Sequence, residues 1–178
     1  SSSSPDDRQQ PPDAFTVTAL TPLIYLLDQL APAHMLAAGL EVRVRSQDLP
    51  VGAGLGSSAA FGVASAAALV LLSFSLSSPT SAADNATLGR PDPASLETID
   101  QYAYYSEILL HGTPSGIDNA VSSHGGAIHF TKAPDSGGKV TMKHLENLAP
   151  LDLLLVYTHV PRSTKQLVAG VRVRHEQY

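Results

Sequence analysis

Cysteine and tryptophan are absent from this chain of 178 residues, and only 15% of its side chains carry a charge. Without cysteine there is neither a disulfide framework nor a thiolate zinc site. The net charge is −5 and the isoelectric point is near 5.7. That lacks the basic excess that draws a protein to a phosphate backbone, so charge-driven nucleic-acid binding is excluded. The longest apolar stretch, Ala59–Leu76, is interrupted by Gly62 and by serines, and no membrane span is expected from it. No basic segment followed by an apolar run opens the chain, so no secretory leader is visible. Asn85-Ala86-Thr87 spells a glycosylation acceptor, a triplet that arises by chance and matters only in a secreted protein.

What is present fits a folded domain. Hydrophobic residues make up 43% of the chain and mean hydropathy is +0.04, enough apolar material for a core of about one domain. Charge is uneven: residues 1–136 carry 5 basic and 13 acidic side chains, residues 137–178 carry 6 and 3, so the late segment is suited to an anion.

Ser1–Asp13 is polar and proline-bearing, and reads as a disordered segment or linker. Leu20, Leu23, Ile24, Leu27 and Leu30 then recur at helical spacing, with Pro22 in the first turn and Pro32 as a stop. Leu40, Val42 and Val44 alternate with Glu41, Arg43 and Arg45, the period of a half-buried strand. A glycine-rich loop, Pro50–Gly56, leads into an Ala-rich helix over Ser58–Leu72, and residues 73–93 read as a surface loop. Further helices are expected over Ala94–Leu110, just before Gly125-Gly126, and over Ser163–Arg174. Strands are expected over Ala127–Phe130, Lys139–Met142 and Leu151–Tyr157. Mixed elements without a repeat make the class α+β or α/β.

The loop Gly52-Ala53-Gly54-Leu55-Gly56-Ser57-Ser58 sits between an expected strand and a helix. Glycines there let backbone N–H groups approach an anion, and the helix start favours negative charge. A flexible turn with a serine cap explains one glycine and one serine, but not this whole run. It is not a Walker A loop, because no lysine lies between Arg45 and Arg90. Nor is it a Rossmann fingerprint, because the glycines are spaced G-x-G-x-G. Gly56-Ser57-Ser58-Ala59-Ala60 comes within one residue of a nucleophile elbow, which leaves a serine hydrolase acting through Ser58 as an alternative.

A second run, Glu107 to Asn119, holds two carboxylates around a Gly/Pro loop. Ser115 and Asp118 have the spacing of a capping box. Glu107 near a helix C-terminus opposes the macrodipole, and a bound Mg²⁺ would account for it. The seven histidines show no metal-site spacing, so His111, His124 and His129 read as structural or solvent-facing. A third run, Val160-Pro161-Arg162-Ser163-Thr164-Lys165, places two cations at a helix start, where Arg162 would hold a carboxylate or phosphate.

Taken together and in this order, the three runs resemble the GHMP small-metabolite kinases, with the second and third closest to the mevalonate kinase branch. The resemblance runs from Phe15 to the end. It implies an α+β fold: a two-layer N-terminal domain of the ribosomal protein S5 domain 2 type over residues 14–148, and the start of a C-terminal domain over 149–178. It implies a cytoplasmic enzyme that phosphorylates mevalonate with ATP and Mg²⁺, with no nucleic-acid or membrane partner, and it allows a homodimer. In that scheme Gly52, Gly54, Leu55, Gly56, Ser57 and Ser58 hold the nucleotide, and Ser58 and Glu107 hold Mg²⁺. Asp118 is the base, and Asp118, Thr164 and Arg162 line the substrate. The family's Pro-Gly-Lys strand and its Gly-rich third motif do not occur in the 178 residues, so the resemblance is to the middle of such a kinase. A non-catalytic nucleotide-binding relative is the alternative on those grounds.

Overall fold

The computed structural model describes residues 14–47, 49–50, 53–77, 91–132, 140–145, 147–156, 167, 170, 171, 173 and 174. Five helices and one antiparallel strand pair are the continuous elements among these residues. They are α1 (Ala14–Leu30), α2 (Ala33–Ala38), α3 (Ser57–Ser77), α4 (Pro93–His111), α5 (Ile117–His124), β1 (Ala127–Lys132) and β2 (Val140–Leu145). The mixture of helices with a small sheet agrees with the α+β class.

The core is a three-helix seam. On α3, Ala59, Val63, Ala66 and Val70 recur every three or four residues and are all buried, which is the stripe an amphipathic helix turns inward. On α4 the stripe steps by four: Ser95, Ile99, Ala103 and Glu107 are buried, joined by Ser106. Leu26 of α1 and Met35 of α2 complete the cluster. Gly62 lies where α3 meets α4. A methyl group added there would stand 2.8 Å from Ser106 Oγ, a hydroxyl that donates to Ala103 O at 2.7 Å. By length and composition, residues Ser57–Leu76 are long and apolar enough to cross a membrane, contrary to the expectation for this stretch. In the fold their buried stripe faces α1 and α4.

Four expectations need correction. The first helix reaches back to Ala14, so Pro22 lies inside it rather than in its first turn. An interior proline forfeits a backbone hydrogen bond, at about 3 kcal/mol. Here Pro22 and Leu26, four residues apart, are fully buried, and packing holds the helix through the break. Leu40–Arg45 forms no strand: the segment has no regular structure and no ladder partner among the described residues. Val42 and Val44 stay exposed, and Arg43 pairs only with Glu41 two residues away, at 2.7 Å. Leu151–Val156, expected as a strand, is likewise unpaired, with Leu154 90% exposed. Tyr157 lies outside the described residues. The expected surface loop at 73–93 yields its first five positions to α3.

Other boundaries follow local chemistry. Asp92 caps α4, with Oδ1 accepting from the N–H groups of Ala94 and Ser95 (2.9 and 3.0 Å) and Oδ2 accepting from Ser95 Oγ (2.6 Å). Pro93 follows at the first helical position, where its missing N–H costs nothing. Gly112, at φ +81°, ends the helix, and its N–H donates to Ile108 O. β1 and β2 pair antiparallel from Ala127 opposite Leu145 to Lys132 opposite Val140. A row of tyrosines links the helices. Tyr25 lies 6.5 Å from Tyr102, which lies 6.4 Å edge-on from Tyr105, which lies 6.4 Å from Tyr104. Leu167, Gly170, Val171, Val173 and Arg174 are helical, in line with the expected last helix.

Two outcomes follow. Gly62→Ala destabilises the protein, because overpacking at about 1–3 kcal/mol outweighs the roughly 1 kcal/mol of helix propensity that alanine brings. Urea denaturation checks this, and the double change with Ser106→Ala restores stability. Hydrogen bonds from Ser95, above all from its hydroxyl, hold the Asp92 carboxyl below its ordinary range. A lowered carboxylate pKa means the cap's contribution is present above the unfolded value near 4 and is lost as pH falls through the folded value. The melting-temperature gap between wild type and Asp92→Ala, a few degrees at pH 7, therefore closes below about pH 4.

Candidate active site

Three chain segments converge where α3 begins. The loop Ala53–Gly56 turns into α3 through two left-handed glycines, Gly54 at φ +76° and Gly56 at φ +71°, conformations that other residues adopt only with strain. Ser58 lies in the first turn of α3, and Glu107 and His111 lie one turn apart at the end of α4. Asp118 sits in the first turn of α5.

Asp118 packs under the glycine loop. A Cβ on Gly56 would stand 3.5 Å from Asp118 Cγ and 3.7 Å from its Oδ1. A methyl group at Gly56 would therefore meet the carboxylate at ordinary van der Waals distance, which places Asp118 beside the loop. The expected capping box does not form. Gly116, at φ +79°, is the N-cap of α5, which puts Asp118 one position too early to act as its reciprocal partner. Ser115 Oγ instead accepts from Ile117 N–H at 3.3 Å. In the turn before Asp118, the ring of Tyr104 and the Cε of Met142 lie over Gly116, and Tyr104 OH reaches Pro114 O at 3.5 Å.

Glu107 is the unusual group. Its side chain is 7% exposed, its Oε1 has no hydrogen-bond partner among the described residues, and its Oε2 reaches His111 Nε2 at 3.5 Å. The same Nε2 stands 3.4 Å from Ser58 Oγ. Leaving a buried carboxylate oxygen unpaired is costly, so a carboxylate kept in this state calls for a partner. With a serine hydroxyl close by, the donor set is the hard-oxygen kind that suits Mg²⁺. Asn119, buried beside Asp118, also has an amide nitrogen without a partner.

Gly54, Leu55, Gly56, Ser57 and Ser58 are thus brought to one place with Glu107 and Asp118. Gly52, Arg162 and Thr164 lie outside the described residues. His111, assigned a structural or solvent-facing role from the sequence, is instead at the centre. Its offset of four from Glu107 on one helix was the available signal. The hydrolase alternative loses its geometry: a catalytic triad places the serine and the acid on opposite ring nitrogens, whereas both face Nε2 here.

Residues 19–126 match the family described as GHMP kinases N terminal domain. The chain belongs to this family. As a GHMP kinase domain it is 42% identical over 156 residues to mevalonate kinase of Mus musculus, covering 88% of this chain and 37% of that one. It is 39% identical over 166 residues to mevalonate kinase of Homo sapiens (92% and 39%). To that of Candida albicans it is 40% identical over 148 residues (83% and 33%). The GHMP kinase chain thus spans under two fifths of the length of these curated relatives.

Gly56→Ala forces alanine into a left-handed conformation, at roughly 1–2 kcal/mol, and brings a methyl group into contact with Asp118. The expected outcome is a lower urea midpoint together with a shifted Asp118 backbone amide resonance. Gly112→Ala, strained at φ +81° but with open space around it, lowers the midpoint without moving Asp118.

Proposed function

We propose that the protein is a mevalonate kinase, transferring the γ-phosphoryl group of ATP to the terminal hydroxyl of mevalonate to give 5-phosphomevalonate and ADP. The observation that carries the reading is the convergence of three parts: a left-handed glycine loop at a helix start, a buried carboxylate with an unpaired oxygen, and a second carboxylate against the loop. The relatives named mevalonate kinase supply the acceptor.

Backbone N–H groups of the loop and the first turn of α3 hold the phosphates, aided by the helix dipole. Ser58 and Glu107 hold the divalent cation. A Mg²⁺ ion held by these two residues would supply neutralisation of the charge that develops on the phosphate oxygens. Asp118 receives the proton of the mevalonate hydroxyl as its oxygen bonds to phosphorus and the bond to ADP breaks. Asp118 stands beside the glycine loop that holds the phosphates, which places the base next to the transferred group. Arg162 and Thr164 are assigned to the substrate on resemblance, and the late basic excess suits an anionic acceptor. The reading extends to residues 14–148 as part of a two-layer N-terminal domain, 149–178 as the start of a C-terminal one, and a cytoplasmic role in isoprenoid and sterol precursor supply.

Steady-state assay of the native gene product with Mg-ATP and mevalonate tests this. Asp118→Asn lowers kcat by about 10²-fold or more while calorimetry shows Mg-ATP still bound. A kcat within about tenfold of wild type removes Asp118 as the base, and absence of mevalonate-dependent ADP release removes the reaction.

A further inference from the structure

Among the groups around the glycine loop, His111 has no part in the phosphoryl transfer, yet it touches both residues assigned to the cation. Its Nε2 lies 3.5 Å from Glu107 Oε2 and 3.4 Å from Ser58 Oγ. His111 stands in the last turn of α4, where the Gly112 N–H donates to Ile108 O and closes the helix. Glu107 Oε2 faces this ring nitrogen while Oε1 is buried and has no partner among the described residues.

We infer that His111 is a positioning residue of the cation site: by holding Glu107 Oε2 and facing Ser58 Oγ through one nitrogen, it turns Glu107 Oε1 and the Ser58 lone pairs toward the metal. This rests on the reading of Ser58 and Glu107 as cation ligands. With the proton on Nε2, the N–H between the two oxygens makes a directional demand on them like that of a cation. The side chains are therefore set before the metal arrives, and no rotamer search of a buried carboxylate accompanies binding. Groups that orient metal ligands from the second rank typically change metal affinity by 10–100-fold when removed.

Mn²⁺, which takes the oxygen sites of Mg²⁺ and is visible by electron paramagnetic resonance, is the probe. Titrated at one fixed pH into the 178-residue chain, it should bind about tenfold or more weakly to His111→Ala. His111→Gln places an amide nitrogen near the Nε2 position and restores most of the affinity. His111→Asn, whose amide nitrogen falls near Nδ1, does not. A general structural role would affect Gln and Asn alike, and these two polar variants decide the matter even if His111→Ala melts early. Equal affinity of the Gln and Asn variants, or wild-type affinity of His111→Asn, overturns the inference. Glu107→Gln separates the layers. If it binds Mn²⁺ as wild type does, the cation site itself is wrong and the role of His111 falls with it. If Glu107→Gln weakens binding while His111→Asn does not, only the positioning role falls.

Discussion

Where Gly62 of α3 meets Ser106 of α4, an added methyl group would stand 2.8 Å from the serine hydroxyl, so the two helices approach as closely as glycine allows. Ser58 lies one turn before Gly62, and Glu107 is the residue after Ser106. Both prospective cation ligands are therefore placed by the same contact. Rigid helices transmit that placement more accurately than loops do, which explains why the glycine loop can be sharply bent while the side chains it serves stay fixed.

The α4 stripe explains how a carboxylate came to be buried. Ser95, Ile99, Ala103 and Glu107 descend one face in steps of four, and the last of them occupies a core position with an acid. Hydrophobic packing of α4 continues regardless, because Ile99 and Ala103 anchor it upstream. A core position given to an acid lowers stability, and such departures from good packing concentrate at sites where chemistry is done. Histidine one turn later is the nearest relief, and it satisfies a single oxygen.

The parts of this arrangement legible in the sequence were those encoded locally. Asp92-Pro93 and Gly112 mark the ends of α4 by capping chemistry alone, and the glycine run marks the start of α3. The strand expected at Leu40–Arg45 failed because alternation states a preference for two faces without supplying a neighbour to pair with. Pro22 misled for a related reason: propensity placed it at a helix start, whereas burial beside Leu26 decided the outcome. His111 escaped notice because its role depends on Ser58, 53 positions away, and no local pattern joins the two. Asp118 was placed near the loop only through resemblance; its capping-box account was a local reading that the left-handed Gly116 displaced.

The tyrosine row has an optical consequence. No tryptophan is present to drain excitation, so ultraviolet emission from this chain comes from tyrosine alone. Tyr25, Tyr102, Tyr105 and Tyr104 stand at ring separations of 6.4 to 6.5 Å, close enough to pass excitation along the row. The row ends at Tyr104, whose ring covers Gly116 two residues before Asp118. The depolarisation of that emission is thus an unlabelled gauge of how α1, α4 and the turn into α5 are spaced, built into the protein by the residue it lacks.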